Sequence, residues 1–178
     1  MLNTFPWTHP AEMINPSLRS PRQHPRCSFT IAKSREHALA EATTCQMDSL
    51  CIFTDGSGYQ DMVGAAATTL PQGGDLASEH RHHCLGPLHT HTVFEGEILG
   101  AILALDIIRG SQRTTNVTVL LDNQAAIRSL QQRQPRPGQY LVEEFHARLD
   151  TLLKRNPHLN IRICWVPGHE GNKGNEFS

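Results

Sequence analysis

The fold of this chain is decided by the stretch Leu50-Cys51-Ile52-Phe53-Thr54-Asp55-Gly56-Ser57-Gly58. Its first residues form an apolar run, which predicts a buried strand over residues 50–54. The glycines that follow predict a tight connection at residues 56–58. Asp55 therefore stands at the end of a buried strand, where a carboxylate is costly unless it is hydrated, paired or bound to a cation. This position makes Asp55 a candidate metal ligand.

Length and composition predict one globular domain with appendages. The chain has 178 residues, of which 38% are hydrophobic and 19% are charged, and this is enough for a sizeable core. The sequence contains neither the roughly 20 apolar residues of a membrane span nor the pattern of a secretory signal. Its five cysteines are an odd number with no C-x-x-C pair. Reduced thiols in an intracellular protein, of the nucleus or the cytoplasm, are therefore expected.

Charge is distributed unevenly along the chain. Residues 1–40 carry five Lys/Arg and two Asp/Glu, residues 41–122 carry three and ten, and residues 123–178 carry eight and five. The acidic middle argues against a simple basic clamp for nucleic acid. It suits a site in which carboxylates surround divalent cations, while Lys and Arg residues from the two flanking regions face phosphates. A chance distribution over the surface explains the same counts equally well.

Two regions differ in composition. Residues 1–47 are predicted to be a flexible leader rich in Pro and Arg, in which residues 31–47 can form a short helix capped by Ser34. Residues 48–178 are predicted to be the compact domain. Its first three strands form an antiparallel meander: 50–54, 63–70 and 76–85. The second half alternates helices with strands, which implies parallel pairing: helix 93–108, strand 116–121, helices 124–132 and 139–155, and strand 159–166.

Asp122 is expected to join Asp55 at one edge of the sheet. It closes the apolar run over residues 117–121, as Asp55 closes the first strand. If the two strands are parallel neighbours, both aspartates lie at carboxyl ends, where α/β sheets place their ligands. The alternative role for Asp122 is to cap the helix that follows over residues 124–132.

Glu97 is the third candidate carboxylate. It lies one turn into the helix over residues 93–108, at the edge of the apolar stripe. Its rival Glu95 is better placed to cap the first turn together with Thr92, so Glu97 is preferred as the ligand. Three converging carboxylates suit hard cations such as Mg²⁺, which take oxygen ligands.

Four segments of the chain carry a family resemblance. They are Thr54-Asp55-Gly56-Ser57-Gly58, Thr92-Val93-Phe94-Glu95-Gly96-Glu97-Ile98-Leu99-Gly100-Ala101, Leu121-Asp122-Asn123-Gln124-Ala125-Ala126 and Trp165-Val166-Pro167-Gly168-His169-Glu170-Gly171-Asn172. Together they resemble ribonuclease H, most closely the RNase H domain carried by reverse transcriptases of non-LTR retrotransposons. Each segment alone is weak evidence for the family, but four segments in this order and at suitable spacing are specific to it. The resemblance covers about residues 48–178.

The resemblance implies a fold, an activity and a cofactor. The implied fold is α/β: a five-stranded mixed sheet, three strands antiparallel and then two parallel, flanked by helices. The implied reaction is cleavage of the RNA strand of an RNA–DNA hybrid with two Mg²⁺ or Mn²⁺ ions. Asp55, Glu97 and Asp122 match three metal-binding carboxylates of the family. His169 matches a histidine thought to aid proton transfer or product release.

The chain departs from the family pattern at its end. The resemblance implies a fourth carboxylate that opens a final helix, and this ligand would fall one residue after Ser178. The final helix is therefore expected to be missing from a truncated domain. The resulting hypothesis is a protein that binds divalent metal and hybrid but cleaves poorly. A catalytically inactive nucleic-acid-binding module and a retrotransposon-derived relic are the alternatives.

Other residues are candidates for substrate contact. They lie near the three carboxylates in the sequence and are Gly56, Ser57, Thr92, Asn123 and Gln124. Asn123 and Gln124 could reach a minor-groove edge or the 2′-hydroxyl that distinguishes RNA. A zinc site at His80, His82 and Cys84 is disfavoured, because no fourth ligand has a familiar spacing. The expected partner is the RNA–DNA hybrid, and no membrane association is expected. The protein is expected to be a monomer or a former part of a reverse transcriptase polyprotein.

Overall fold

A computed structural model describes residues 24–69, 78–111, 114–132 and 138–168, which form a mixed sheet with helices on both faces. The strands are β1 (Cys27–Thr30), β2 (Leu50–Tyr59), β3 (Met62–Thr69), β4 (His80–Pro87), β5 (Asn116–Leu121) and β6 (Asn160–Trp165). The helices are α1 (Arg35–Asp48), α2 (Val93–Gly110), α3 (Gln124–Gln132) and α4 (Gln139–Arg155). The predicted α/β class is confirmed.

The order of strands across the sheet is β1-β6-β5-β2-β3-β4. β2, β3 and β4 are antiparallel neighbours, which confirms the predicted meander. β1, β6, β5 and β2 are parallel to one another. The chain therefore changes from antiparallel to parallel pairing at β2, in the middle of the sheet.

The sheet formed by the described residues has six strands, and the predicted count of five is wrong. The extra strand β1 comes from the segment that the sequence assigns to the leader, and it pairs with β6 from Cys27↔Ile161 to Thr30↔Cys164. The four residues Cys27-Ser28-Phe29-Thr30 alternate apolar and polar side chains over the shortest length that indicates a strand, and they lie in a stretch that its many Pro and Arg residues assign to the leader. The predicted helix with its Ser34 cap is confirmed as α1, since the Ser34 hydroxyl accepts the His37 N–H at 3.3 Å. Residues 1–23 lie outside the described residues.

The predicted tight connection at residues 56–58 is also wrong. β2 continues through these residues to Tyr59, and the chain reverses at Gln60 and Asp61, whose φ angles are +48° and +60°. Glycine signals either a turn or a close approach of another backbone, and here Gly56 lies against α2. A Cβ at Gly56 would come within 2.6 Å of the Gly96 carbonyl carbon. Asp55 is thus inside β2, one residue past the last pair of the β5 ladder, Thr54↔Leu121.

Side chains alternate across the sheet into two apolar layers. The larger layer joins α2, α3 and α4 to residues such as Ile52, Val119 and Ile163. The smaller layer lies on the opposite face, where α1 packs. Its members are Ala42, Cys45, Cys51, Phe53, Leu120, Cys164 and Val166. The main core thus supports α2 and the strand ends, and α1 covers part of the second face.

Substitution of Gly56 by alanine is expected to destabilise the fold by about 1–3 kcal/mol, because the new methyl group meets backbone atoms that cannot rotate away. Gly58→Ala is the matched control on the same strand. Its Cβ would meet the side chains of Val93 at 3.3 Å and Leu88 at 3.5 Å, and these can adjust. Urea unfolding of both variants measures the difference. Equal stability of the two variants would contradict the close contact between β2 and α2.

Candidate metal centre

Three carboxylates converge at the end of the parallel ladder between β2 and β5. Asp55 follows Thr54 in β2 and Asp122 follows Leu121 of β5, so the two aspartates extend the last paired residues side by side. Glu97 comes from the second turn of α2. One carboxylate oxygen from each of Asp55, Glu97 and Asp122 lies within 4.8 Å of the other two. The structure therefore brings together the three side chains that the sequence selects as ligands.

Glycines allow α2 to carry Glu97 to the aspartates. A Cβ at Gly96 would lie 2.8 Å from the Gly64 carbonyl oxygen and 3.4 Å from the Gly56 Cα, so the helix backbone contacts both β2 and β3. Because neither Gly56 nor Gly96 has a side chain, the start of the helix can approach the sheet this closely. Glu97 then follows directly after the point of contact.

The Glu97 carboxyl group is buried, and its surroundings disfavour the charged form. Burial raises the pKa of Glu97 from an ordinary value of 4.5 to about 8, and the charges of Asp122 and Asp55 add to the effect. A hydrogen bond from the Gly56 backbone N–H acts in the opposite direction. The Glu97 Oε2 atom is buried and has no hydrogen-bond partner among the described residues.

These features fit a divalent cation. A cation among the three carboxylates would relieve their mutual repulsion and give the orphaned Glu97 oxygen a partner. The donors are all carboxylate oxygens, the ligand type that Mg²⁺ and Mn²⁺ take in proteins. The residues that could hold the ion are Asp55, Glu97 and Asp122.

Glu95 has the separate role predicted for it. Its Oε2 atom accepts the Thr92 backbone N–H at 2.7 Å, and the Thr92 hydroxyl accepts the Glu95 N–H at 3.3 Å. This reciprocal pair is a capping box at the start of α2. Thr92, also a candidate for substrate contact, thus already has a structural task.

The helix-capping alternative for Asp122 is wrong. Asn123 caps α3 instead, because its Oδ1 atom accepts the backbone N–H groups of Ala125 at 3.0 Å and Ala126 at 3.1 Å. The backbone carbonyl of Asp122 accepts the indole N–H of Trp165 at 2.9 Å. Sequence reasoning misses this bond, which fixes the chain at Asp122.

Gly168 is a further residue that sequence reasoning misses. A Cβ there would lie 2.5 Å from the Asp122 Oδ2 atom, so the chain after β6 passes directly over this carboxylate. The signal for it in the sequence is a glycine beside a candidate histidine after a strand. His169 is the next residue and lies outside the described residues, so its role stays a prediction.

The remaining candidates are spread around this centre. Gly56 and Ser57 follow Asp55 in β2, and Gln124 accepts a hydrogen bond from Arg128 at 3.0 Å. The predicted absence of a zinc site concerns β4. The His80 ring is hydrogen-bonded to the hydroxyl groups of Thr68 and Ser78, and β4 provides no group of three metal-ligating side chains among the described residues.

In the described part of the chain, none of the helices has the length and apolar character needed to cross a bilayer.

Comparison with known proteins identifies relatives of this fold. A family model described as RNase H matches residues 47–178. The structure of LC11-RNase H1 in complex with an RNA/DNA hybrid is 16% identical, with a TM-score of 0.53, over 71% of this chain and 91% of that one. RNase H1 from the halophilic archaeon Halobacterium salinarum NRC-1 is 16% identical, with a TM-score of 0.48, over 67% and 86%. None of the curated proteins matches the sequence significantly.

The raised pKa of Glu97 predicts that the metal-free protein loses stability as pH rises. Below about pH 4.5 the group is protonated in both the folded and unfolded states. Between 4.5 and about 8 only the folded state keeps the proton, so each pH unit costs about 1.4 kcal/mol. Glu97→Gln cannot titrate and should remove this decline in unfolding experiments with EDTA between pH 5 and 9. Parallel profiles of parent and variant would contradict the burial of a titrating Glu97.

Proposed function

Because the chain belongs to the RNase H family, we propose that it cleaves the RNA strand of RNA–DNA hybrids at the centre formed by Asp55, Glu97 and Asp122. The observation that carries the proposal is the convergence of these three carboxylates, with ligand atoms within 4.8 Å of one another. We also propose an origin in a non-LTR retrotransposon, because the four sequence segments resemble the RNase H domains of such elements most closely.

The three carboxylates would hold divalent ions, Mg²⁺ or Mn²⁺. When bound, two such ions supply an activated water and stabilise the leaving oxygen of a phosphodiester. Asp55 from β2, Glu97 from α2 and Asp122 after β5 would hold these ions. Gly168, which has no side chain, lets the chain after β6 lie against Asp122.

Several residues near the centre are proposed to contact the hybrid. Ser57 is exposed and lies two residues after Asp55, so it shares that face of β2. Asn123 uses its Oδ1 atom to cap α3, and its amide nitrogen takes no part in the cap. Gln124 follows at the start of α3. Gly56, which follows Asp55 in β2, and Thr92, which precedes α2, are the other proposed contacts.

A second candidate function is nucleic-acid binding without cleavage. It would use the same cluster of Asp55, Glu97 and Asp122, because cations held by carboxylates also bind phosphates. The two candidates differ in turnover and agree in hybrid binding.

Asp55→Asn is expected to lower hybrid cleavage at least about 100-fold, since charge stabilisation by the ions contributes several kcal/mol. The measurement is release of labelled RNA from an RNA–DNA hybrid in Mg²⁺ and in Mn²⁺. Asp61→Asn is the matched control: it makes the same change at the turn between β2 and β3 and should leave the rate unchanged. Cleavage by Asp55→Asn at the parental rate would overturn the proposed centre.

A further inference from the structure

A cavity of about 360 Å³ lies between the C-terminal end of α1 and the sheet. Its lining includes Asn116 and Asn160, the first residues of β5 and β6. The proposed metal centre lies at the other end of these strands, where Asp122 follows β5. Six residues of a parallel strand span about 20 Å. The cavity is therefore separate from the three carboxylates.

Polar side chains line the sheet side of the cavity in two rows across the strands. Asn116 of β5 pairs with Asn160 of β6 in the first row. Thr118 of β5, Arg162 of β6 and Ser28 of β1 are paired in the second row. The rows are two residues apart along each strand, so these side chains share one face of the sheet. This side of the cavity therefore offers amide, hydroxyl and guanidinium groups.

The end of α1 orients two of these side chains. Nη1 of Arg162 donates to the Cys45 Sγ atom at 3.7 Å. The hydroxyl of Ser49, the residue after α1, lies 2.9 Å from the Thr118 hydroxyl and donates to the Cys45 carbonyl at 2.8 Å. These bonds hold Arg162 and Thr118 in place, so a ligand need not order them when it binds.

The cavity has positive charge that no carboxylate compensates. Arg162 forms no ion pair in the described part of the chain, where its one hydrogen bond goes to the Cys45 thiol. The Arg26 guanidinium, which also belongs to the lining, donates to the carbonyl groups of Leu153 at 2.6 Å and Asn156 at 2.7 Å. Among the described residues, the lining contains neither Asp nor Glu. The C-terminal ends of α1 and α4 contribute only about half a negative charge each, so two full positive charges are partly offset.

The family match does not account for this cavity. Arg26, Ser28 and Cys45 precede residues 47–178, the region that the family model matches. β1 and α1 bring the basic first region of the sequence against the basic last region, since Arg26 belongs to residues 1–40 and Arg162 to residues 123–178. The cavity therefore forms only where the start of the chain packs on the sheet.

We propose that this cavity binds a phosphate group. The planar guanidinium of Arg162 fits two phosphate oxygens at once. The side chains of Ser28 and Asn116 form no hydrogen bond to another described residue, and they add donors of the kind that contact phosphates in nucleic-acid complexes. A nucleic-acid backbone and a free phosphorylated molecule both present this group. The carboxylates take no part, so the site does not depend on hybrid cleavage.

Two probes, inorganic phosphate and a labelled RNA–DNA hybrid, test the site in the full chain. EDTA is present, so that neither probe binds through cations at the carboxylates. Arg162→Gln removes the guanidinium and should weaken binding of at least one probe about 10-fold or more, because hydrogen bonds between charged groups are the strong ones. Ser28→Ala should weaken the same binding about three-fold. Calorimetry measures the affinity for phosphate, and fluorescence anisotropy measures the affinity for the hybrid.

Arg109→Gln is the matched control for net charge. Arg109 is an exposed arginine in the last turn of α2, which packs on the opposite face of the sheet. Its removal should leave the affinity for both probes within about two-fold of the parent.

The two probes distinguish the sources of the phosphate group. Weaker hybrid binding by Arg162→Gln supports a contact with a nucleic-acid backbone, whereas weaker phosphate binding with unchanged hybrid binding supports a free phosphorylated molecule. Equal affinity of the parent and Arg162→Gln for both probes would overturn the site, as would a parent that binds neither probe. An equal loss in Arg109→Gln would also overturn it, because the effect would then reflect net charge alone.

Discussion

The direct contact between the backbones of α2 and β2, at Gly96 and Gly56, is the constraint on which the rest of the structure depends. No side chain separates the helix from the strand at this point. The contact fixes how far α2 reaches along the sheet, and Glu97 follows immediately after it. If the helix lay one side chain further away, Glu97 would not reach Asp55 and Asp122. The position of the carboxylates is therefore set by two residues that have no side chain.

The clustering of carboxylates opposes folding in the absence of a cation. Glu97 is buried beside two other acids, and the result is a pKa raised to about 8. At neutral pH the metal-free protein keeps a proton that a bound cation would replace, so metal binding and proton release are linked. Sites that carry such a cost are frequently functional, because the rest of the core must compensate for them. Here the compensation comes from the apolar body of α2, whose Ile98, Leu99 and Ile102 are fully buried.

Much of the fold could be predicted, because its central elements have strong periodic patterns. β5, α3 and α4 have the predicted bounds, and α2 begins at the predicted capping box. The errors occur where one signal has two physical meanings. Gly56 and Gly58 indicate a turn or a close backbone approach equally well, and only the position of α2 decides between them.

The candidate site was predictable to the same extent. Asp55 and Asp122 each follow an apolar run, so their place side by side at the end of the parallel ladder between β2 and β5 could be predicted from the sequence alone. Glu97 could be separated from Glu95 because the capping box assigns Glu95 a task. In contrast, the contacts of Trp165 and Gly168 with Asp122 join residues more than 40 positions apart. No local pattern encodes them, and they depend on how the elements pack.

The elements that precede the region matched by the family model also support the site. Alternation along β2 and β5 places Phe53 and Leu120 on the face that α1 covers, and Asp55 and Asp122 follow two residues later on the same face. Glu97 approaches from the opposite face, where α2 packs. The aspartates therefore extend the apolar layer under α1, while the glutamate belongs to the main core. Because α1 shields Phe53 and Leu120 from water, this helix contributes to holding the two aspartates in place.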